Sequence, residues 1–263
     1  MTVPTRLVAA LSSLLLLASL VGAPATLAVG STPVVGPPTA IRGASAMWGQ
    51  TSTFYAGYSA HLRSGSFSRV TGTWVVPRAT CDGTTSVMFA WVGMDDGGKK
   101  YLEQAGTGDY CLAGSRTPQY YAWYEMFPKP SVPATLVVRP GDTIRTTVSA
   151  SGSRFTFRIE NLTTHKTFVK AASQTRALRV AAYWIVESPW AGSAASSIYP
   201  LTRFARFTLL KASARADGRT GSIGSRLWDA RVLWTMAKGR TNKASAGGLT
   251  HNGSSFRVTW HHR

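Results

Sequence analysis

Beyond residue 46 the chain runs as short apolar-rich segments separated by turn formers, and within each segment residues two apart share a character. That period predicts strands rather than helices. Nine segments carry it: residues 69–76 (RVTGTWVV), 87–93 (VMFAWVG), 119–127 (QYYAWYEMF), 135–139 (TLVVR), 143–150 (TIRTTVSA), 154–160 (RFTFRIE), 181–187 (AAYWIVE), 204–210 (FARFTLL) and 256–260 (FRVTW). Between Thr143 and Lys170 the pattern is clearest. Phe155, Phe157 and Ile159 alternate with Arg154, Thr156, Arg158 and Glu160, so one face is buried and one is solvated, with NLTTHK (161–166) as the closing loop. No long 3.6-residue apolar period and no internal repeat is present. The expected fold is all-β, an antiparallel double-sheet β-sandwich.

Two segments are apolar on both faces and still carry a carboxylate. In residues 181–187, Ala181, Tyr183, Ile185 and Glu187 share one face while Ala182, Trp184 and Val186 share the other; in residues 119–127, Tyr121, Trp123, Glu125 and Phe127 share a face. A carboxylate among aromatic rings is desolvated, which raises its pKa and lets it give and take protons at acidic to neutral pH. A glutamate hydrogen-bonded at a sheet end explains the same pattern without function.

The first 28 residues hold one charge, Arg6, then an apolar run over residues 7–21 and small residues at Ala23, Ala25 and Ala28. This reads as a secretory signal peptide, too short in its apolar part to span a membrane, and places the protein outside the cell. Residues 29–46, rich in Pro, Gly and Ser, form an expected flexible lead-in to a catalytic unit over residues 47–263. Cys81 and Cys111 are the two cysteines and are expected to form a disulfide in an oxidising compartment. The five histidines are scattered, so no metal site is expected. With Arg6 removed, 28 basic residues face 11 acidic ones, which favours anionic surroundings such as a cell envelope. The basic residues are dispersed and no nucleic-acid motif accompanies them, so a solvated basic surface is the simpler account and no nucleic-acid partner is expected. Nothing suggests an oligomer or a cofactor.

Familiar hydrolase signatures are missing. The chain has no H-E-x-x-H, no G-x-S-x-G, no Asp-Thr-Gly or Asp-Ser-Gly, and no phosphate- or dinucleotide-binding glycine pattern. Carboxylate and amide chemistry remains.

Eight strings occur in one order: VTGTWVVP (70–77), AWVGMD (90–95), EQAG (103–106), YAWYEMFP (121–128), PGD (140–142), ENLTT (160–164), YWIVESP (183–189) and PLTRFARFTL (200–209). Together they resemble the glutamic peptidases, or eqolisins, particularly their bacterial branch. The resemblance implies a concanavalin-like sandwich of two seven-stranded sheets with a substrate cleft. It implies a catalytic pair at Gln104 and Glu187, with Trp91, Asp95 and Glu125 in the cleft. Asp109 is matched to the acidic residue after the catalytic glutamine, one position further along than in fungal members. Tyr121 and Phe127 stand where fungal members carry aspartate and tyrosine, and Tyr121 is retained as a cleft residue.

The activity so implied is metal-independent cleavage of polypeptides, expected at acidic pH, with the Glu187 carboxylate as general base and then acid and the Gln104 amide at the oxyanion. A glycoside hydrolase built on Glu125 and Glu187 also fits an aromatic-lined pair of carboxylates. A non-catalytic carbohydrate- or envelope-binding sandwich is the other alternative.

Overall fold

The computed structural model describes residues 46–97, 100–190 and 198–263. The expected signal peptide and all but the last residue of the lead-in lie outside the described residues. Among these there is no helix. The strands are β1 (Ala46–Ser52), β2 (Tyr55–His61), β3 (Phe67–Val75), β4 (Ala79–Thr80), β5 (Ser86–Asp95), β6 (Leu102–Cys111), β7 (Gln119–Phe127), β8 (Val132–Pro133), β9 (Thr143–Ser151), β10 (Arg154–Asn161), β11 (Lys166–Ser173), β12 (Ala181–Glu187), β13 (Arg203–Phe204), β14 (Phe207–Ala216), β15 (Arg219–Ser222), β16 (Ala230–Lys238), β17 (Thr241–Ala246) and β18 (Phe256–Trp260).

Two layers form. In the back layer β11, β10, β9, β3 and β14 are neighbours; in the front layer β16, β2, β12, β5, β6, β7 and β8 are neighbours. The layers are not two separate seven-stranded sheets: β18 and β17 carry the hydrogen-bonded ladder from one to the other, giving a continuous 16-stranded sheet among the described residues. All its pairs are antiparallel except β1 with β16, which is parallel. A small second sheet pairs β13 with β4.

Between the layers lies the main core, with Trp74, Phe155, Phe157 and Phe207 from the back and Tyr58, Met88, Val92 and Trp184 from the front, all essentially inaccessible. Indole N–H groups must be satisfied when buried, and two of them cross the core in opposite directions. Trp184 Nε1 donates to the Thr71 carbonyl at 2.8 Å, and Trp74 Nε1 donates to Thr107 Oγ1 at 3.0 Å. The Trp184 ring lies over Gly72, where an added Cβ would come within 3.4 Å of its Cδ1 and 3.1 Å of Val92. Cys81 and Cys111 form the expected disulfide, with Cα atoms 5.5 Å apart.

One expected strand is absent. Residues 135–139 join no ladder, although Leu136 and Val138 are buried. The segment runs into Pro140, which lacks the N–H that a ladder needs, and its alternation is spent on packing alone. The segment expected at 204–210 is broken at Ala205 and Arg206 into β13 and β14. Strands β2, β6, β16 and β17 were not expected.

The core-facing side of β6 is unusual. It carries Glu103 (0% exposed) and Asp109 (2%). Neither Glu103 oxygen has a hydrogen-bond partner, nor has Asp109 Oδ1. Burial pushes each carboxyl up to about 8, opposed by the nearby Arg179 charge for Glu103 and by Thr202 for Asp109. The folded protein therefore retains protons that the unfolded chain releases from about pH 4 upward. Stability from these groups is fully present at acidic pH and falls as pH rises to about 8, by at most about 1.4 kcal/mol per pH unit and group. Thermal melts between pH 4 and 8 are expected to show Tm falling with pH. Glu103→Gln should make that slope shallower whatever it does to Tm itself, and an unchanged slope would contradict a neutral Glu103.

Candidate active site

The face of the front layer turned away from the core holds a second apolar cluster of Val87, Trp91, Tyr110, Tyr121, Trp123, Ala181, Tyr183 and Ile185. Strand register arranges this face in rungs. One rung runs His61, Ala181, Asp95, Leu102, Phe127; the next runs Ser59, Tyr183, Gly93, Gln104, Glu125. The third is Trp234, Gly57, Ile185, Trp91, Gly106, Trp123, and the fourth is Tyr55, Glu187, Phe89, Gly108, Tyr121.

Six of the seven residues expected at a site thus share one face: Glu187, Gln104, Trp91, Asp95, Glu125 and Tyr121. Asp109 does not. It follows Gln104 by five positions, and an odd offset along a strand turns a side chain to the opposite face, which puts it in the core beside Met88 and Tyr120 in register. Gly108 occupies the matching position on the Gln104 face.

Glu187 ends β12, partly exposed. Its Oε2 accepts a hydrogen bond from Trp91 Nε1 at 2.7 Å. Burial among rings raises its pKa to about 8; the Trp91 bond opposes that rise and the neighbouring Glu125 adds to it. Gln104 is 5% exposed and its Nε2 donates to Glu125 Oε2 at 2.5 Å. Its carbonyl Oε1 is buried and has no hydrogen-bond partner. Burial pushes Glu125 up to about 7, opposed by the Gln104 bond. Gly93 makes room for this arrangement, because a Cβ there would lie 2.9 Å from Gln104 Cβ.

Glu187 and Gln104 stand two rungs and two strands apart, on either side of the Trp91 rung, each gripped by its own partner. Phe89 and Trp123 pack at 4.8 Å between ring centroids, and Phe89 meets Tyr121 edge-on at 6.0 Å, forming an aromatic wall beside them. Tyr124 faces the other way, against Phe157 and Phe168.

Sequence reasoning missed the β2 side of the site. Tyr55 lies edge-on to Trp91 at 5.6 Å and feels the charges of Glu187, Asp95 and Glu125; its burial and those charges hold it as a neutral hydroxyl. Tyr183 hydrogen-bonds Asp95, which also accepts from the Gly97 amide at 2.8 Å. Ser59 Oγ lies 2.8 Å from His61 Nε2 and accepts from Trp234 Nε1 at 2.9 Å. Burial lowers the His61 pKa to about 4. The signal was there in YAGYSAH, whose odd positions run Tyr55, Gly57, Ser59, His61, but small residues on both faces hide the alternation. Among the described residues no three His, Cys, Asp or Glu side chains are grouped so as to hold a metal ion.

Comparison with solved structures gives the same architecture. Scytalido-glutamic peptidase, bound to a peptide-based transition-state analogue, matches with a TM-score of 0.67 and 22% identity over 79% of this chain and 98% of that one. SCP-B, a member of the eqolisin family in complex with the tripeptide Ala-Ile-His, matches with a TM-score of 0.63 and 22% identity over the same 79% and 98%. Aspergilloglutamic peptidase from Aspergillus niger matches with a TM-score of 0.56 and 24% identity over 66% and 99%. At these identities the likeness speaks for the fold. A search of curated protein sequences found no match. The sequence model of the Peptidase A4 family, however, matches residues 53–252, which span every rung of the site. The chain therefore belongs to the Peptidase A4 family and is a glutamic peptidase.

Proposed function

We propose that the protein is a secreted endopeptidase that hydrolyses polypeptides with a water held between Glu187 and Gln104. The observation carrying this is their placement on one face, on either side of Trp91, with Glu187 fixed by Trp91 and Gln104 left with an unengaged carbonyl oxygen. The N-terminal apolar run supports export, and the excess of basic residues supports retention near anionic surfaces.

The raised pKa decides the protonation state in which Glu187 works. Raised by burial and by the Glu125 charge, Glu187 keeps its proton well above the ordinary carboxylate range, so in acid the neutral carboxyl predominates. A carboxylate base is therefore a poor agent in acid. The neutral carboxyl has both an O–H donor and a C=O acceptor. As the water oxygen bonds to the scissile carbonyl carbon, one water proton passes to the Glu187 carbonyl oxygen and the Glu187 hydroxyl proton passes to the substrate oxygen, leaving a neutral tetrahedral adduct. On collapse the C–N bond breaks, Glu187 gives its proton to the leaving nitrogen and takes one from an adduct hydroxyl. Gln104 accepts from the water through Oε1 and donates its second Nε2 proton to the substrate oxygen, where lost donation costs about 10² to 10³ in kcat.

Two expectations follow. Glu187→Gln should abolish measurable cleavage of denatured protein and Gln104→Ala should reduce kcat by about 10² to 10³, with both proteins folded by circular dichroism; a Glu187→Gln protein at wild-type rate refutes the role. In the second, kcat/KM should hold through acid and fall as pH passes about 8 and Glu187 ionises. Since the Glu125 charge raises the Glu187 value, Glu125→Gln should move that fall to lower pH while activity in acid persists. A rate that climbs from pH 4 to 8 would make the carboxylate the working form. Loss of all activity in Glu125→Gln, with Gln104→Ala unharmed, would favour the paired carboxylates of a glycoside hydrolase.

A further inference from the structure

We propose that Lys243 is a positioning residue for Glu187, acting through Ser188 and the Tyr199 carbonyl; this rests on the reading of Glu187 as the proton-transfer group. The register of β16 with β17 slips once: Met236 faces Ala244 and Ala237 faces Asn242, so Lys243 is the extra residue of a bulge. Bulges re-aim side chains. Here the Lys243 carbonyl accepts from the amides of His261 and His262 at 2.8 and 3.1 Å, and the side chain runs inward to 5% exposure.

Lys243 Nζ donates to Ser188 Oγ at 3.0 Å, and Ser188 Oγ donates to the Tyr199 carbonyl at 2.5 Å. The Ser188 amide donates to the Phe54 carbonyl at 3.0 Å, and the Tyr199 amide to the Pro189 carbonyl at 2.9 Å. The residue that follows Glu187 is thereby tied to β17, to the chain entering β2 and to the segment returning at Tyr199.

A serine beside a lysine is also the layout of a nucleophile with its base. That use is closed to this pair. Ser188 is 0% exposed and its proton is committed to the Tyr199 carbonyl. Nor is the lysine explained by packing. It has no carboxylate partner among the ion pairs of the described residues, and burial lowers its pKa to about 8. Burying an ammonium is unfavourable, and a methionine of similar length would fill the site without that cost. What the lysine supplies is a second hold on Ser188 Oγ. Fixing residue 188 fixes the direction in which Glu187 leaves the strand, and so keeps its Oε2 against Trp91 Nε1. A displacement of about 1 Å in a reacting group can cost on the order of 10² in rate.

The test is steady-state cleavage of an internally quenched peptide by Lys243→Met, Ser188→Ala, the double variant, Lys243→Gln and Glu187→Gln, each with a thermal melt. Lys243→Met is expected to lower kcat about 10-fold or more with KM within about twofold and Tm unchanged or raised. Ser188→Ala should lower kcat similarly, the double variant no further, and Lys243→Gln, which keeps an N–H donor, should recover part of the loss. Folded Lys243→Met at wild-type kcat overturns the proposal, as does a Lys243→Met loss that persists in full on the Ser188→Ala background. If Lys243→Met does not fold, Ser188→Ala decides, and wild-type kcat there overturns it. An inactive Glu187→Gln beside a fully active Lys243→Met refutes the positioning role alone, whereas an active Glu187→Gln refutes the reading beneath it.

Discussion

A strand that is apolar on both faces must be covered on both, and β12 is such a strand. Its inner side, Ala182, Trp184 and Val186, closes the core against the back layer; its outer side, Ala181, Tyr183 and Ile185, needs a second cover, supplied by rings from β2, β5 and β16. The site is built from that second cover. Glu187 continues the outer side of the strand, so its carboxyl comes to rest where aromatic rings have displaced water but the sheet ends. Within that cover the Trp91 indole N–H donates to it. Position, desolvation and hydrogen bond all descend from one alternation.

Desolvation has the same sign throughout the front layer. Glu103, Asp109, Glu125 and Glu187 are all raised to between about 7 and 8, although they serve different places. Two stand on the core side of β6 and two on the site side of β7 and β12. For the core pair the consequence is a fold that is least strained electrostatically when the surroundings are acidic. For the site pair it is a neutral hydrogen-bonding surface in the same pH range. Burial thus favours the protonated form on both sides of the layer, even though the chain as a whole is strongly basic.

Much of this was legible in the sequence where alternation and chemistry agreed. The 181–187 and 119–127 segments announced both their faces and their carboxylates, and Glu187, Glu125, Tyr121 and Trp123 came to share a surface as their parity required. Where resemblance and parity disagree, parity prevails: Asp109 matches the family's acidic residue after the catalytic glutamine, yet its odd offset from Gln104 sends it to the core. Strand β6 itself was hidden for the converse reason. Its inward side is Glu103, Ala105, Thr107, Asp109 and Cys111, a polar series that does not look like a core face until the carboxyls are recognised as neutral. Residues 135–139 erred in the other direction, with an alternation that serves burial and no ladder. The rest, including the bulge at Lys243, depends on pairings between distant segments that local periodicity does not encode.

The separation of Glu187 from Gln104 has its own logic. Groups in direct contact would satisfy each other and leave nothing for a water or a peptide carbonyl. Here Trp91 holds one and Glu125 holds the other, so neither is spent on its counterpart. Donors and acceptors fixed beforehand by other parts of the protein need little reorganisation as the reaction proceeds, which is the condition under which a polar site stabilises developing charge best. The glycines at 93, 106 and 108 belong to the same design: three side chains are missing from the middle of the face, on the rungs of Gln104, Trp91 and Glu187 in turn. The space they leave is taken up by neighbours, Gln104 and Leu102 over Gly93 and the Phe89 and Tyr121 rings over Gly108, so the missing side chains are what let these groups settle onto the sheet.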